Sequence, residues 1–259
     1  MLVLITGASA GLGRDIAQLL SHRGTELILV ARRGDRLEEM AHELPGHVDY
    51  YAMDLSKEEQ CLELYELVKD RGIDVVINNA GFGVFGAFEQ TPLEDELRLI
   101  DTNIRAVHML TKLFLQDFVA RDKGYILNIA SMAAYTPGPY MAAYYASKAY
   151  VLRLTQALRE EMRFARRHVY VGAFCPGPIR TEFQQVAGVK FKGRGISSEK
   201  AARLAVKGML RKKPVIIPGA GMKILHAIQK IMPSSLCARV MMFIQSGREK
   251  PASQEQSAD

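Results

Sequence analysis

The chain is poor in cysteine: Cys61, Cys175 and Cys237 are odd in number, far apart, and never form a C-x-x-C pair. That spacing argues against a disulfide framework or a metal cage, so a reducing compartment is the default and no metal site is expected. No run reaches the length of a membrane span without a charge or a proline. The N-terminus lacks a basic n-region and a cleavage site, so Leu2 to Ile5 read as a strand rather than a signal peptide, and a cytoplasmic location is expected. Internal repeats, low-complexity segments and an interdomain linker are also missing.

What is present is an ordinary globular balance over 259 residues, 48% hydrophobic and 24% charged, enough to bury a substantial core. Lys+Arg exceed Asp+Glu by 34 to 28. The basic groups are scattered, as in Arg32, Arg33 and Arg36 or Arg211, Lys212 and Lys213. Without a recognition helix or zinc spacing they argue against nucleic-acid binding, while anionic small molecules still fit.

Short β-rich runs recur at 2–6, 26–31, 47–53, 74–79, 125–130, 169–174 and 215–218. Helical spacing occupies 14–23, 57–69, 93–120, 143–167 and 199–210. Strands apolar at nearly every position suit a sheet covered on both faces, and strand–helix alternation implies parallel pairing with right-handed crossovers. The expected fold is α/β: a Rossmann-like doubly wound parallel sheet of about seven strands in one domain. Residues 1–220 would hold the dinucleotide-binding and catalytic part, 221–247 a helical extension, and 248–259 a frayed tail.

Directly after the first strand, "TGASAGLG" places Gly7, Ser9, Gly11, Leu12 and Gly13 ahead of a helix. Glycines there permit a tight turn, let backbone N–H groups approach a pyrophosphate, and allow close helix–sheet packing. A purely structural turn is the alternative. The second strand ends in Ala31, Arg32 and Arg33, where an NAD-preferring fold usually carries an acidic residue for the ribose 2′-hydroxyl. A guanidinium instead forms charge-assisted bonds to a 2′-phosphate, which points to NADP(H), with Arg32 the first choice and Arg33 the reserve. Asp54, next to Leu55, would accept from the adenine amino group or would cap the following helix with Ser56.

These features, with later motifs in order, resemble the short-chain dehydrogenase/reductase family, single-domain type. The motifs are "TGASAGLG"; "NNAG", containing Asn79, Ala80 and Gly81; "DTNIRA" with Asn103; "NIAS" ending in Ser131; "YYASK" with Tyr144 and Lys148; and "CPGPIRT", containing Pro176, Gly177, Ile179 and Thr181. The resemblance spans residues 1 to about 220. It implies that Tyr144, not Tyr145, is the acid/base of carbonyl–alcohol interconversion, because the pattern is Tyr-x-x-x-Lys. It also implies that Ser131 orients the substrate oxygen, that Lys148 lowers the Tyr144 pKa and holds the nicotinamide ribose, and that Asn103 holds a relay water. For Asn103 a structural bond to backbone is the rival view. Tyr140 and Tyr150 read as packing or pocket-wall residues. Ile179 and Thr181 would contact the carboxamide. The family's pairing through its fourth and fifth helices implies a homodimer or homotetramer.

Residues 182–196 stand where similar enzymes carry a substrate lid, with Gly188, Gly193 and Gly195 as its mobile points. Phe183, Val186, Val189 and Phe191 would form an apolar wall for a hydrophobic carbonyl or alcohol substrate. Phe82, Phe85 and Phe88 are placed for the entrance. In 221–247, divided by Pro233, Met222, Leu225, Ile228 and Met232 share a helical face. A pocket wall or subunit interface is favoured there over a membrane-surface helix. Two rivals to an active oxidoreductase stay in view: a relative whose cofactor assists epimerisation or dehydration, and an NADP(H)-binding sensor or scaffold without turnover.

Overall fold

A computed structural model describes residues 1–183 and 195–246, apart from the Lys230 side chain. The strands are β1 (Leu2–Thr6), β2 (Glu26–Ala31), β3 (Val48–Ala52), β4 (Val75–Asn78), β5 (Gly124–Ile129), β6 (Val169–Phe174), β7 (Ile179–Arg180), β8 (Ile196–Ser197) and β9 (Val215–Ile216). The helices are α1 (Gly11–Ser21), α2 (Gly34–Glu43), α3 (Glu58–Val68), α4 (Leu93–Ile100), α5 (Val107–Ala120) and α6 (Ala142–Phe164). After them come α7 (Ser198–Leu210), α8 (Ala220–Ile231) and α9 (Ser234–Ser246).

All five residues of β1 and of the core of β2 are buried, as continuous apolar strands require when both sheet faces are covered. The sheet runs β3-β2-β1-β4-β5-β6-β9, every pairing parallel. One face packs Ile16, Leu20, Leu37, Met40 and Val206 of α1, α2 and α7. The other packs Leu64, Val68, Leu110, Phe114 and Phe118 of α3 and α5. This is the Rossmann-like doubly wound sheet of seven strands expected from the sequence, with β7 and β8 as a separate small pair. Within that sheet, β3 at the edge is the strand with no buried residue among those described.

Two elements differ from the sequence expectation. The helix α2 was not legible, because its ten residues carry many charges and bury only Leu37 and Met40. The segment 93–120 is not one regular helix: a π turn, Asp101–Ala106, separates α4 from α5.

The order reverses direction at β1, which pairs with β2 on one side and β4 on the other. Crossovers leave in opposite directions there, and the carboxyl ends of β1 and β4 bound a crevice, the usual ligand position in such sheets.

Candidate active site

The turn after β1 is held by β4's continuation. Thr6 Oγ1 accepts from the backbone N–H of both Asn79 and Ala80 at 3.0 Å. The Asn79 amide donates back to the carbonyls of Thr6 and Gly7, each at 3.0 Å. Gly7 sits at φ +64°, and a Cβ there would lie 2.8 Å from Ala80 Cα, so only glycine fits between turn and strand end. Gly7, Ser9, Gly11 and Leu12 line a cavity of about 620 Å³, as do Asn79, Ala80 and Gly81. Gly13 is buried behind them, packed on Gly7 and Asn79.

Arg32 and Arg33 line the same cavity and are both exposed. Arg33 reaches the glycine turn: its Nε and Nη2 donate to Ser9 Oγ at 3.3 and 3.2 Å. Its Nη1 also meets Glu182 at 3.0 Å, and Arg36 meets the same carboxylate at 2.9 Å. These guanidiniums, Arg36 first, hold the Glu182 carboxyl below its ordinary range. The sequence paired neither Glu182 with Arg36 nor either with the glycine turn, since a contact across 146 residues leaves no local pattern. Asp54 and Leu55 border the cavity beyond them. The Asp54 carboxylate accepts from the Ser56 backbone N–H and hydroxyl at 3.1 and 2.8 Å, so a local turn already engages it.

Ser131 follows β5 and caps a 3-10 turn, Met132–Tyr135, where its Oγ accepts from the Ala133 N–H at 3.1 Å. Ser131 and Tyr144 line the same cavity, and the Ser131 hydroxyl favours the ionised phenol. Lys148, one turn further along α6, places Nζ 5.9 Å from the Tyr144 ring centroid and donates to Ile129 O at 2.9 Å. Asn103 lies inside the π turn, fully buried. Its Nδ2 donates to Phe82 O at 2.9 Å and Ser147 Oγ at 3.0 Å, and its Oδ1 accepts from Phe82 N at 3.1 Å. A Cβ on Gly81 would lie 2.9 Å from Asn103 Oδ1 and 3.3 Å from Lys148 Nζ, so these groups converge on that glycine.

The expected lowering of the Tyr144 pKa by Lys148 is not what the protein alone does. Burial pushes the phenol up to about 12, with the Ser131 hydroxyl pulling the other way. Burial also moves Lys148 down to about 8. Both groups resist charge because burial desolvates them, and the amine donates to the Ile129 carbonyl. At neutral pH the phenol keeps its proton and the amine remains mainly cationic.

Pro176, Gly177, Ile179 and Thr181 line the cavity opposite β4. Met132 N donates to Pro176 O at 2.9 Å, tying the ends of β5 and β6. Tyr145 also lines the cavity but accepts from Gln245 Nε2 at 3.1 Å. Phe183 packs on Tyr144 with ring centroids 5.3 Å apart. Of the entrance aromatics, Phe82 lines the cavity, Phe85 stacks on Tyr140, and Phe88 is 67% exposed. Tyr150 is not a wall residue: it hydrogen-bonds His108 at 2.7 Å on the surface. The helical face expected in 221–247 divides, with Met222 and Leu225 on the cavity beside Gln229, and Ile228 exposed. The other predicted lid residues, Val186, Gly188, Val189, Phe191 and Gly193, and the tail 248–259 lie outside the described residues.

The three cysteines are buried, and burial raises Cys61 to about 11 and Cys175 to about 12, leaving those two inert at neutral pH. The described residues contain no group of three His, Cys, Asp or Glu placed to hold a metal.

Set against known proteins, residues 1–190 match the family model described as short chain dehydrogenase. The "Dehydrogenase/reductase SDR family member 11" of Gallus gallus is 35% identical over 70% of this chain and 75% of its own. Among solved structures, a short-chain dehydrogenase from Sphingobium yanoikuyae in complex with NADPH is 30% identical. The alignment covers 100% of this chain and 98% of that one, with a TM-score of 0.81. The bulky-bulky ketone specific alcohol dehydrogenase from Comamonas testosteroni is 26% identical over 100% and 98%, with a TM-score of 0.77. The chain belongs to the short-chain dehydrogenase/reductase family of oxidoreductases.

Proposed function

We propose that this protein is an NADP(H)-dependent oxidoreductase that interconverts a hydrophobic carbonyl compound and its secondary alcohol, with Tyr144 as acid and base. The observation that carries the reading is the convergence of Ser131, Tyr144 and Lys148 on the wall of the cavity that also contains the glycine turn.

The residues present fit the dinucleotide. Gly7, Gly11, Leu12 and Gly13 offer backbone and close packing for a pyrophosphate, and Asn79, Ala80 and Gly81 border its path. Arg33 and Ser9 together suit a 2′-phosphate, with Arg32 flanking, and this pairing favours Arg33 over the first choice made from sequence. Asp54 and Leu55 would border the adenine, while Pro176, Gly177, Ile179 and Thr181 would border the nicotinamide. When bound, the cofactor would supply or accept the hydride.

The protein's part is proton transfer and orientation. In reduction, Ser131 would donate to the substrate oxygen, and the Tyr144 hydroxyl would give its proton to the alkoxide as it forms. Its raised pKa keeps that proton in place until the much more basic oxygen is generated. Lys148, cationic near neutral pH, would stabilise the phenolate left behind. Asn103 fixes the Phe82 backbone and Ser147 beside them, and would position the segment through which the proton is replaced. Met141, Phe183, Met222, Leu225 and Met241 leave the substrate end apolar, and the ketone-specific relative supports a bulky ketone. Pairing through α4 and α5 would complete the expected homo-oligomer.

The test follows absorbance at the reduced-nicotinamide band with NADPH or NADH and a panel of bulky ketones, aldehydes and diketones. Turnover should require Tyr144 and survive Tyr145→Phe. Activity retained in Tyr144→Phe and lost in Tyr145→Phe would overturn the assignment, and a preference for NADH would overturn the cofactor.

A further inference from the structure

The C-terminal helices are apolar on two sides. One side of α8 faces the cavity through Met222, Leu225 and Gln229, and α9 adds Met241 and Ile244. Away from it, Ile224, Ile228 and Ile231 stand at i, i+4 and i+7 on α8 and are all exposed, Ile231 by 84%. On α9, Leu236, Val240 and Phe243 repeat the spacing, with Phe243 exposed by 83%. A second apolar face of this size calls for a cover, and nothing among the described residues supplies one here.

Charge indicates what the cover is. From residue 220 to 246 there is no Asp or Glu, but there are Lys223, Lys230 and Arg239. Lys223 and Arg239 are exposed beside the stripes. A second copy docking by the same face would bring no carboxylate from these helices to pair these cations. An anionic lipid surface answers the stripes and the cations together, taking the isoleucines and phenylalanine below its headgroups and Lys223 and Arg239 among them. No described helix is long and apolar enough to cross a membrane, so the contact is one of lying on the surface.

We infer that α8 and α9 form a docking face for anionic membranes. The same helices wall the cavity, so a docked enzyme opens its apolar end close to the lipid phase.

Co-sedimentation of the full chain with vesicles tests this, comparing pure phosphatidylcholine with an equimolar mixture of phosphatidylcholine and phosphatidylglycerol. The wild type should pellet with the mixed vesicles and not with the neutral ones, and added salt should weaken the binding. Ile231→Ser with Phe243→Ser should weaken it at least about tenfold. Lys223→Glu with Arg239→Glu should abolish the preference for the anionic vesicles. Circular dichroism melts of both double variants should match the wild type. No pelleting with either vesicle, or equal pelleting with both, overturns the inference. So does an oligomer in sedimentation velocity that the Ile231→Ser, Phe243→Ser variant converts to monomers, since that assigns the face to a second copy.

Discussion

Glu182 and Arg36, 146 residues apart in the chain, meet at 2.9 Å, and the same carboxylate takes Arg33 at 3.0 Å. The bridge joins the segment after β7 to the start of α2. It occupies the guanidinium that also touches Ser9 of the glycine turn. A cofactor phosphate reaching Arg33 and Ser9 would therefore meet a carboxylate already there.

Glu182→Gln should consequently tighten NADPH binding. The ion pairs are partly exposed, and such pairs are worth about 1 kcal/mol or less, so the gain should be about fivefold at most. NADH affinity should stay unchanged. Fluorescence titration with both dinucleotides checks this; equal weakening of both would instead make Glu182 a strap across the cofactor.

Lys148 supplies a pH prediction. Its pKa is about 8 in the folded chain against an ordinary lysine value of 10.5, so the unfolded state binds more protons between those values. Stability contributed by this group therefore rises with pH from about 8 to about 10.5, by an amount on the order of 3 kcal/mol if the shift is fully expressed. Lys148→Met should remove that rise. The comparison is the difference in Tm between wild type and variant across pH 7 to about 10.5; parallel curves would place the lysine in a more polar setting than its burial implies.

A polar cluster under the site should matter to stability. Asn128 accepts from Asn78 at 2.8 Å and donates to Thr155 at 2.9 Å, joining β4, β5 and α6 in a buried setting. Asn128→Ala would remove both bonds while Asn78 keeps Thr111 and Thr155 keeps the Val151 carbonyl, at a cost of about 1–3 kcal/mol. Urea unfolding would register it, and an unchanged midpoint would mean that water replaces the amide.

Gly7→Ala tests the turn. A methyl group at φ +64° against Ala80 Cα should cost about 1–3 kcal/mol of strain and weaken both dinucleotides alike. Calorimetry showing normal affinity would indicate a turn that relaxes freely.

Much of this protein was legible along the chain because its rules are local. Apolar strand runs, a glycine turn directly after β1, and Tyr144 four residues ahead of Lys148 on one helix all depend on spacing within a few residues; the runs predicted the parallel sheet, and the glycine turn, Tyr144 and Lys148 border one cavity. The α2 helix escaped because few of its residues are buried, and the π turn because no residue pattern demands it. Only the tertiary structure could bring Glu182 to Arg36, spend the Asn103 amide on Phe82 and Ser147, or split the apolar residues after Ala220 between a cavity and an open face. It also reversed the expected shift of Tyr144: sequence supplies a phenol and an amine one turn apart, but desolvation depends on what the whole fold packs around them.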